Sequence, residues 1–112
     1  MATTECDYIN VGGNGKCDEI LASELSTSSF ATIPIGFIPS VIVLYLSYNS
    51  AQPVVIKYDV ANSKVYRTMG ASYNYDLTSS FLNTYIYMDG TNLKYKASTS
   101  EYVKNTTYIA VG

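Results

Sequence analysis

The chain has 112 residues, 14% of them charged, a formal net charge of −2, 12 tyrosines and no histidine or tryptophan. That length suits a single domain with a substantial core, and the sparse charge excludes the dense basic surface that nucleic-acid binding needs. The lack of histidine removes His-based triads, the usual acid–base side chain and the commonest metal ligand.

The first residues, "MATTECDY", carry acids where a secretory leader would carry bases, which predicts synthesis in a cytoplasm without a signal peptide. Charge is uneven here: Glu5, Asp7, Asp18, Glu19 and Glu24 face Lys16 alone, whereas the rest of the chain is mildly basic. Cys6 and Cys17 flank the glycine-rich "DYINVGGNGK". A disulfide across that loop is one reading, and two reduced thiols in an intracellular product is the favoured one. "CDEILASEL" places Asp18 as an N-cap and Ile20, Leu21 and Leu25 on one face, predicting one or two helical turns. Residues 1–28 are therefore expected to be an N-terminal arm outside the main domain. Tyr8, Ile9, Ile20, Leu21 and Leu25 are its candidate anchors to a partner subunit.

From Ser29 the hydrophobic period becomes two. "SSFATIPI" is a first short strand, and "SVIVLYLSY" (Ser40–Tyr48) is apolar on both faces, which predicts a central, buried strand. Its apolar run is much too short to cross a bilayer, so no membrane insertion is expected. "VVIKYDV", "KVYRTM" and "GASYNYDL" follow, separated by turn residues. "SFLNTYIYM" and "NLKYKA" flank "DGT", a hairpin signal, and "TTYIAVG" predicts a closing buried strand over Tyr108–Val111. The pattern predicts an all-β fold from residue 29 to 112: an antiparallel β-sandwich, jelly-roll-like, of about seven or eight short strands.

Chemistry is scarce. Asp59, Asp76, Asp89 and Glu101 each stand beside a turn, where carboxylates usually bond backbone groups. "GGNG" lacks the Lys-Ser/Thr of a phosphate loop, and "DGTN" lacks the carboxylates of a calcium loop. We therefore expect no catalytic residue, no metal and no cofactor. The tyrosines are more informative. Strand alternation puts Tyr73 with Tyr75, and Tyr85 with Tyr87, on shared faces. Such pairs can be ordinary sheet residues, a subunit interface or a glycan platform.

The order "FATIPIGFIPSVIVLY" (Phe30–Tyr45), "YDV", "YMDGTNLKY" and "YIAVG" resembles the small β-sandwich modules of tailed-bacteriophage virion appendages. The likeness covers roughly residues 29–112. In those modules a strand leads through a "TGF-x-P" turn, here "PIGFIP", into a buried strand, and the chain closes on an aromatic–"IAxG" strand. The resemblance implies a virion structural protein, such as a head-fibre, capsid-decorating or fibre-knob subunit. It also implies other capsid or tail proteins as partners, a homo-oligomer with a trimer favoured, and host-surface glycans as a further partner. The alternative is a secreted or cell-surface carbohydrate-binding module, also non-catalytic.

Overall fold

The computed structural model describes residues 15–46, 54–69 and 73–112, the side chains of Met69, Tyr73 and Asn74 excepted. In chain order the strands are β1 (Gly15–Ile20), β2 (Ala31–Pro34), β3 (Val41–Leu46), β4 (Val54–Asp59) and β5 (Lys64–Met69). They continue with β6 (Tyr73–Asp76), β7 (Ile86–Asp89), β8 (Asn92–Tyr95) and β9 (Thr106–Val111). A single helical turn, α1 (Thr78–Phe81), and short 3-10 turns at Ala22–Glu24 and Ser100–Tyr102 complete the described elements.

The strands form two antiparallel sheets, β1-β9-β3-β4-β5-β6 and β2-β8-β7. β3 to β6 are a meander, in which each strand pairs with the one that follows it in the chain. The turn after β4 is held by Asp59, whose carboxylate accepts from the backbone N–H and side-chain amide of Asn62 (3.2 and 3.0 Å). Asp76 accepts from the Thr78 N–H (2.9 Å), and that bond holds its carboxyl below the usual carboxylate value. Both aspartates serve as turn residues. The β7–β8 hairpin closes through Gly90 and Thr91 between the paired Asp89 and Asn92. Gly90 has φ +62°, the sign a type II′ turn needs at its first loop position.

Alternation then decides what the sandwich buries. Ile42, Leu44, Leu46, Val54, Ile56, Tyr58 and Val65 of the larger sheet meet Ile33, Ile86, Leu93 and Tyr95 of the smaller in one core. The Tyr58 hydroxyl crosses the layer to bond the backbone of Met88, while burial pushes its pKa above the usual 10. Tyr95 is 1% exposed, its hydroxyl has no partner among the described residues, and desolvation drives its pKa far up.

Five expectations change. β1 is an edge strand, paired with β9 from Gly15↔Val111 to Ile20↔Thr106, so the chain joins the sandwich well before residue 29. Asp18 lies inside β1, and only Ala22–Glu24 turns helically. Period-two burial against Tyr108 and Thr106 wins over the weak helical spacing, because a short isolated helix has little stability of its own. The run Tyr108–Val111 is buried on one side only. Tyr108 (2% exposed) and Ala110 (0%) face the core, whereas Ile109 points outward and is half-buried. β3 is central but likewise one-sided: Ile42, Leu44 and Leu46 are inside, and Tyr45 is 45% exposed. Cys17, buried on the outward row with Ile109, is disulfide-bonded, against the favoured expectation of a free thiol. Cys6 lies outside the described residues.

Candidate functional site

The smaller sheet turns one face to the core and the other to solvent. Register fixes the outward set: Thr32, Lys94 and Tyr87 form one cross-strand row. The next row is set by the Lys96 N–H donating to the Tyr85 carbonyl (2.8 Å) just past the hairpin, with Phe30 immediately before β2. Tyr85 and Tyr87 thus share a face, joined there by Phe30, Lys94 and Lys96.

These side chains order one another. The Phe30 and Tyr87 rings meet edge to face at 5.1 Å, inclined at 80°. The Lys96 ammonium sits 4.8 Å from the Phe30 centroid and 5.7 Å from that of Tyr85. Cation–π contacts of that kind are worth ~0.5–1 kcal/mol at a partly exposed site, enough to bias a flexible lysine towards one position. Lys94 donates to the Thr32 hydroxyl at 2.6 Å, which holds its stem across the sheet. Tyr85 also packs on Phe81 (5.0 Å), so its ring is shared between this face and the core. Tyr87 is half-buried as well, but it is not among the side chains packed against the core. The arrangement offers an aromatic surface with two ammonium groups beside it. It can take up a ligand that combines an apolar or sugar-ring face with negative charge or hydrogen-bond acceptors.

The other tyrosine pair lies elsewhere. Tyr75 is on β6, the far edge strand of the larger sheet, where it pairs with Arg67. It is 44% exposed, and the Arg67 guanidinium stands 5.5 Å from its ring centroid. Arg67 also donates to the Tyr102 hydroxyl (3.2 Å), while its Nε is buried without a partner among the described residues. Tyr73 is paired with Met69, and its side chain lies outside what is described. The two pairs do not form a single platform.

The anchoring set divides in the same way. Tyr8 and Ile9 lie outside the described residues. Ile20 (1% exposed) and Leu25 (6%) belong to the chain's own core, so they are not available to a partner. Leu21 is half-buried in the link after β1, its N–H donating to Glu24 Oε1 at 3.0 Å. Ile20 anchors β1 to its own sandwich in the inward row with Thr106 of β9, and Leu25 enters the same core just after the 3-10 turn.

Sequence reasoning missed Phe30, Lys94 and Lys96. The signal was available, since each lies two residues from another outward residue: 30 with 32, 94 with 96 and 85 with 87. It was passed over because lysines in strands read as plain solvent-facing positions. Among the described residues no group of three His, Cys, Asp or Glu side chains could hold a metal ion, and no helix is long and apolar enough to cross a membrane. No family model matches the chain, and neither the curated proteins nor the solved structures contain a significant match to it.

Proposed function

We propose that this chain is a non-catalytic virion appendage subunit of the tailed-phage kind, a head-fibre, capsid-decorating or fibre-knob protein. In this reading it attaches to other virion proteins, assembles as a homo-oligomer with a trimer favoured, and meets host-surface glycans on the exposed particle. The observation that carries the binding role is the outward face of the smaller sheet, where Tyr87, Phe30 and Tyr85 stand with Lys94 and Lys96. Tyrosine supplies ring area with little side-chain entropy to lose, which suits a sugar or a protein surface. The order of sequence pieces from Phe30 to Gly112 supports the virion setting.

A glycan array probed with the purified chain tests the binding role. Tyr87→Ala should keep the fold, because the ring is half-buried on an outer face, and should weaken binding on the order of tenfold. Tyr45→Ala, on the outer face of the other sheet, should bind as the parent does. An array without hits, or equal binding by the Tyr87 variant, overturns the glycan role.

The Cys17 disulfide favours the second reading, a secreted or cell-surface carbohydrate-binding module, because such bonds persist chiefly in oxidising surroundings. Gene neighbours decide between the two. Capsid, portal or tail genes beside this one support the virion subunit.

A further inference from the structure

Where the edge strands of the two sheets approach, β1 and β2 leave a cleft of about 250 Å³. One wall is polar and comes from the larger sheet. Asp18 and Tyr108 are register partners on its inward side, and Glu24 reaches in from the 3-10 turn. The opposite wall includes Ile33 and Pro34 of β2.

The polar wall is short of hydrogen bonds. Asp18 is 9% exposed, and among the described residues its carboxylate accepts a single bond, from the Glu19 N–H (2.8 Å). Tyr108 is 2% exposed, lines the cleft, and makes no side-chain hydrogen bond among the described residues. Burial, with the Asp18 and Glu24 carboxylates adding to it, pushes the phenol up to about 12, so it stays protonated. The Tyr108 hydroxyl, without a bond among the described residues, and the Asp18 carboxylate, with one, are open to the same cleft rather than sealed in the core, so a hydrogen-bonding group entering it can reach both. Its charge follows from the lining: Asp18, Glu19 and Glu24 stand against Lys16 alone. The Lys16 ammonium does not neutralise them directly. It donates instead to the Pro34 carbonyl at 2.6 Å, at the rim.

We propose that this cleft binds an organic cation, an alkylammonium or guanidinium group. Its head sits on the Asp18 carboxylate and the Tyr108 hydroxyl oxygen, and its stem lies against Ile33 and Pro34. Lys16 is the competing cation at the entrance. The head group has two sources, a Lys or Arg side chain of a partner protein and a free amine. The cleft adjoins the aromatic face described above through Thr32, which lines it and accepts from Lys94.

Titration with n-butylammonium and with Nα-acetyl-lysine methylamide, followed by backbone amide NMR, tests this. Both should shift Asp18 and Tyr108 amides saturably in the millimolar range. Tighter binding of the lysine derivative assigns the site to a protein side chain, and equal binding assigns it to free amines. Asp18→Asn should weaken binding on the order of tenfold, since it removes a charge-assisted bond. Tyr108→Phe should cost less. Asp76→Asn, the same charge change on β6 at the opposite edge of the larger sheet from β1, should cost nothing. Lys16→Gln should tighten binding by removing the competitor. If Asp18→Asn does not fold, Glu24→Gln, at an exposed position, carries the same test. No saturable shift, equal weakening by the Asp18 and Asp76 variants, or weaker binding after Lys16→Gln each overturns the proposal.

Discussion

Truncating Ile20 to alanine measures whether β1 is part of the fold. Ile20 is 1% exposed and closes the inward row that runs through Thr106, Leu46 and Val54. Three buried carbons at ~0.8 kcal/mol each, together with the cavity they leave, give a cost of about 3 kcal/mol. For 112 residues an unfolding entropy near 2.1 cal/mol/K per residue converts this to a Tm roughly 13 °C lower. Circular dichroism through a thermal melt reads it directly, and a urea titration with unchanged slope confirms that the native state has lost stability. Leu21→Ala, half-buried in the link after β1, should cost clearly less. The same reasoning makes deletion of residues 1–25 disruptive, since it strips a whole edge strand from β9 and two side chains from the core. An Ile20→Ala protein within ~0.5 kcal/mol of the parent, the scatter of ordinary surface substitutions, would refute the docking of β1.

Adjacent positions on β9 should respond in opposite ways to a new charge. Ala110→Asp, at 0% exposure, buries an unpaired carboxylate and should abolish the cooperative melt, whereas Ile109→Asp, on the outward face, should stay folded with a modestly lower Tm. Stability should also fall at high pH. Tyr58, Tyr95 and Tyr108 all have pKa values raised in the folded state above the usual 10. Their contribution is full below pH 10 and is lost as pH rises towards the folded values, because only the unfolded chain releases those protons. Tyr108, pushed to about 12, should alone account for on the order of 2 kcal/mol between pH 10 and 12, read as falling urea midpoints. Midpoints that stay level across that window would mean the phenols are not buried in solution.

The body of the fold was legible because its signals are local. Alternation in "VVIKYDV" and the "DGT" turn each name a strand or hairpin within a few residues, and β4, β7 and β8 lie where those signals fall. What could not be read was partnership over distance. "GKCDEI" has no clean alternation, since Cys17 and Asp18 are both buried although they point to opposite sides of β1. Cys17 is held in a disulfide and Asp18 faces the cleft, and neither circumstance appears in a hydropathy pattern. The one-sided burial of β3 and β9 was hidden for a related reason. The three-stranded sheet covers only one face of the six-stranded one, so Val43 and Ile109 are half-buried although their sequence reads as core. Tyr85 with Tyr87 was legible, because parity alone puts i and i+2 on one side. That Phe30 and Lys96 complete their row depends on β2 pairing with β8 across more than sixty residues of chain.

Charge asymmetry along the sequence becomes polarity across the molecule. The acids of the first 25 residues, read along the chain, suggest an acidic arm reaching for a basic partner. Folding instead lays Asp18 and Glu19 along one sheet edge and adds Glu24 beside them, while Lys94 and Lys96 rise from the outer face of the other sheet. The acidic edge and the basic face would therefore favour opposite ligands, a cation in the cleft and an acceptor-rich or anionic partner on the tyrosine face. Salt separates the forces involved. Added salt should weaken binding at the half-exposed lysine face more than at the buried Asp18, because screening acts chiefly on charges that water reaches. A ligand held on the face by Tyr87 stacking alone would be almost indifferent to salt. The slope of affinity against ionic strength thus tells whether the two lysines bind the partner or only position the rings.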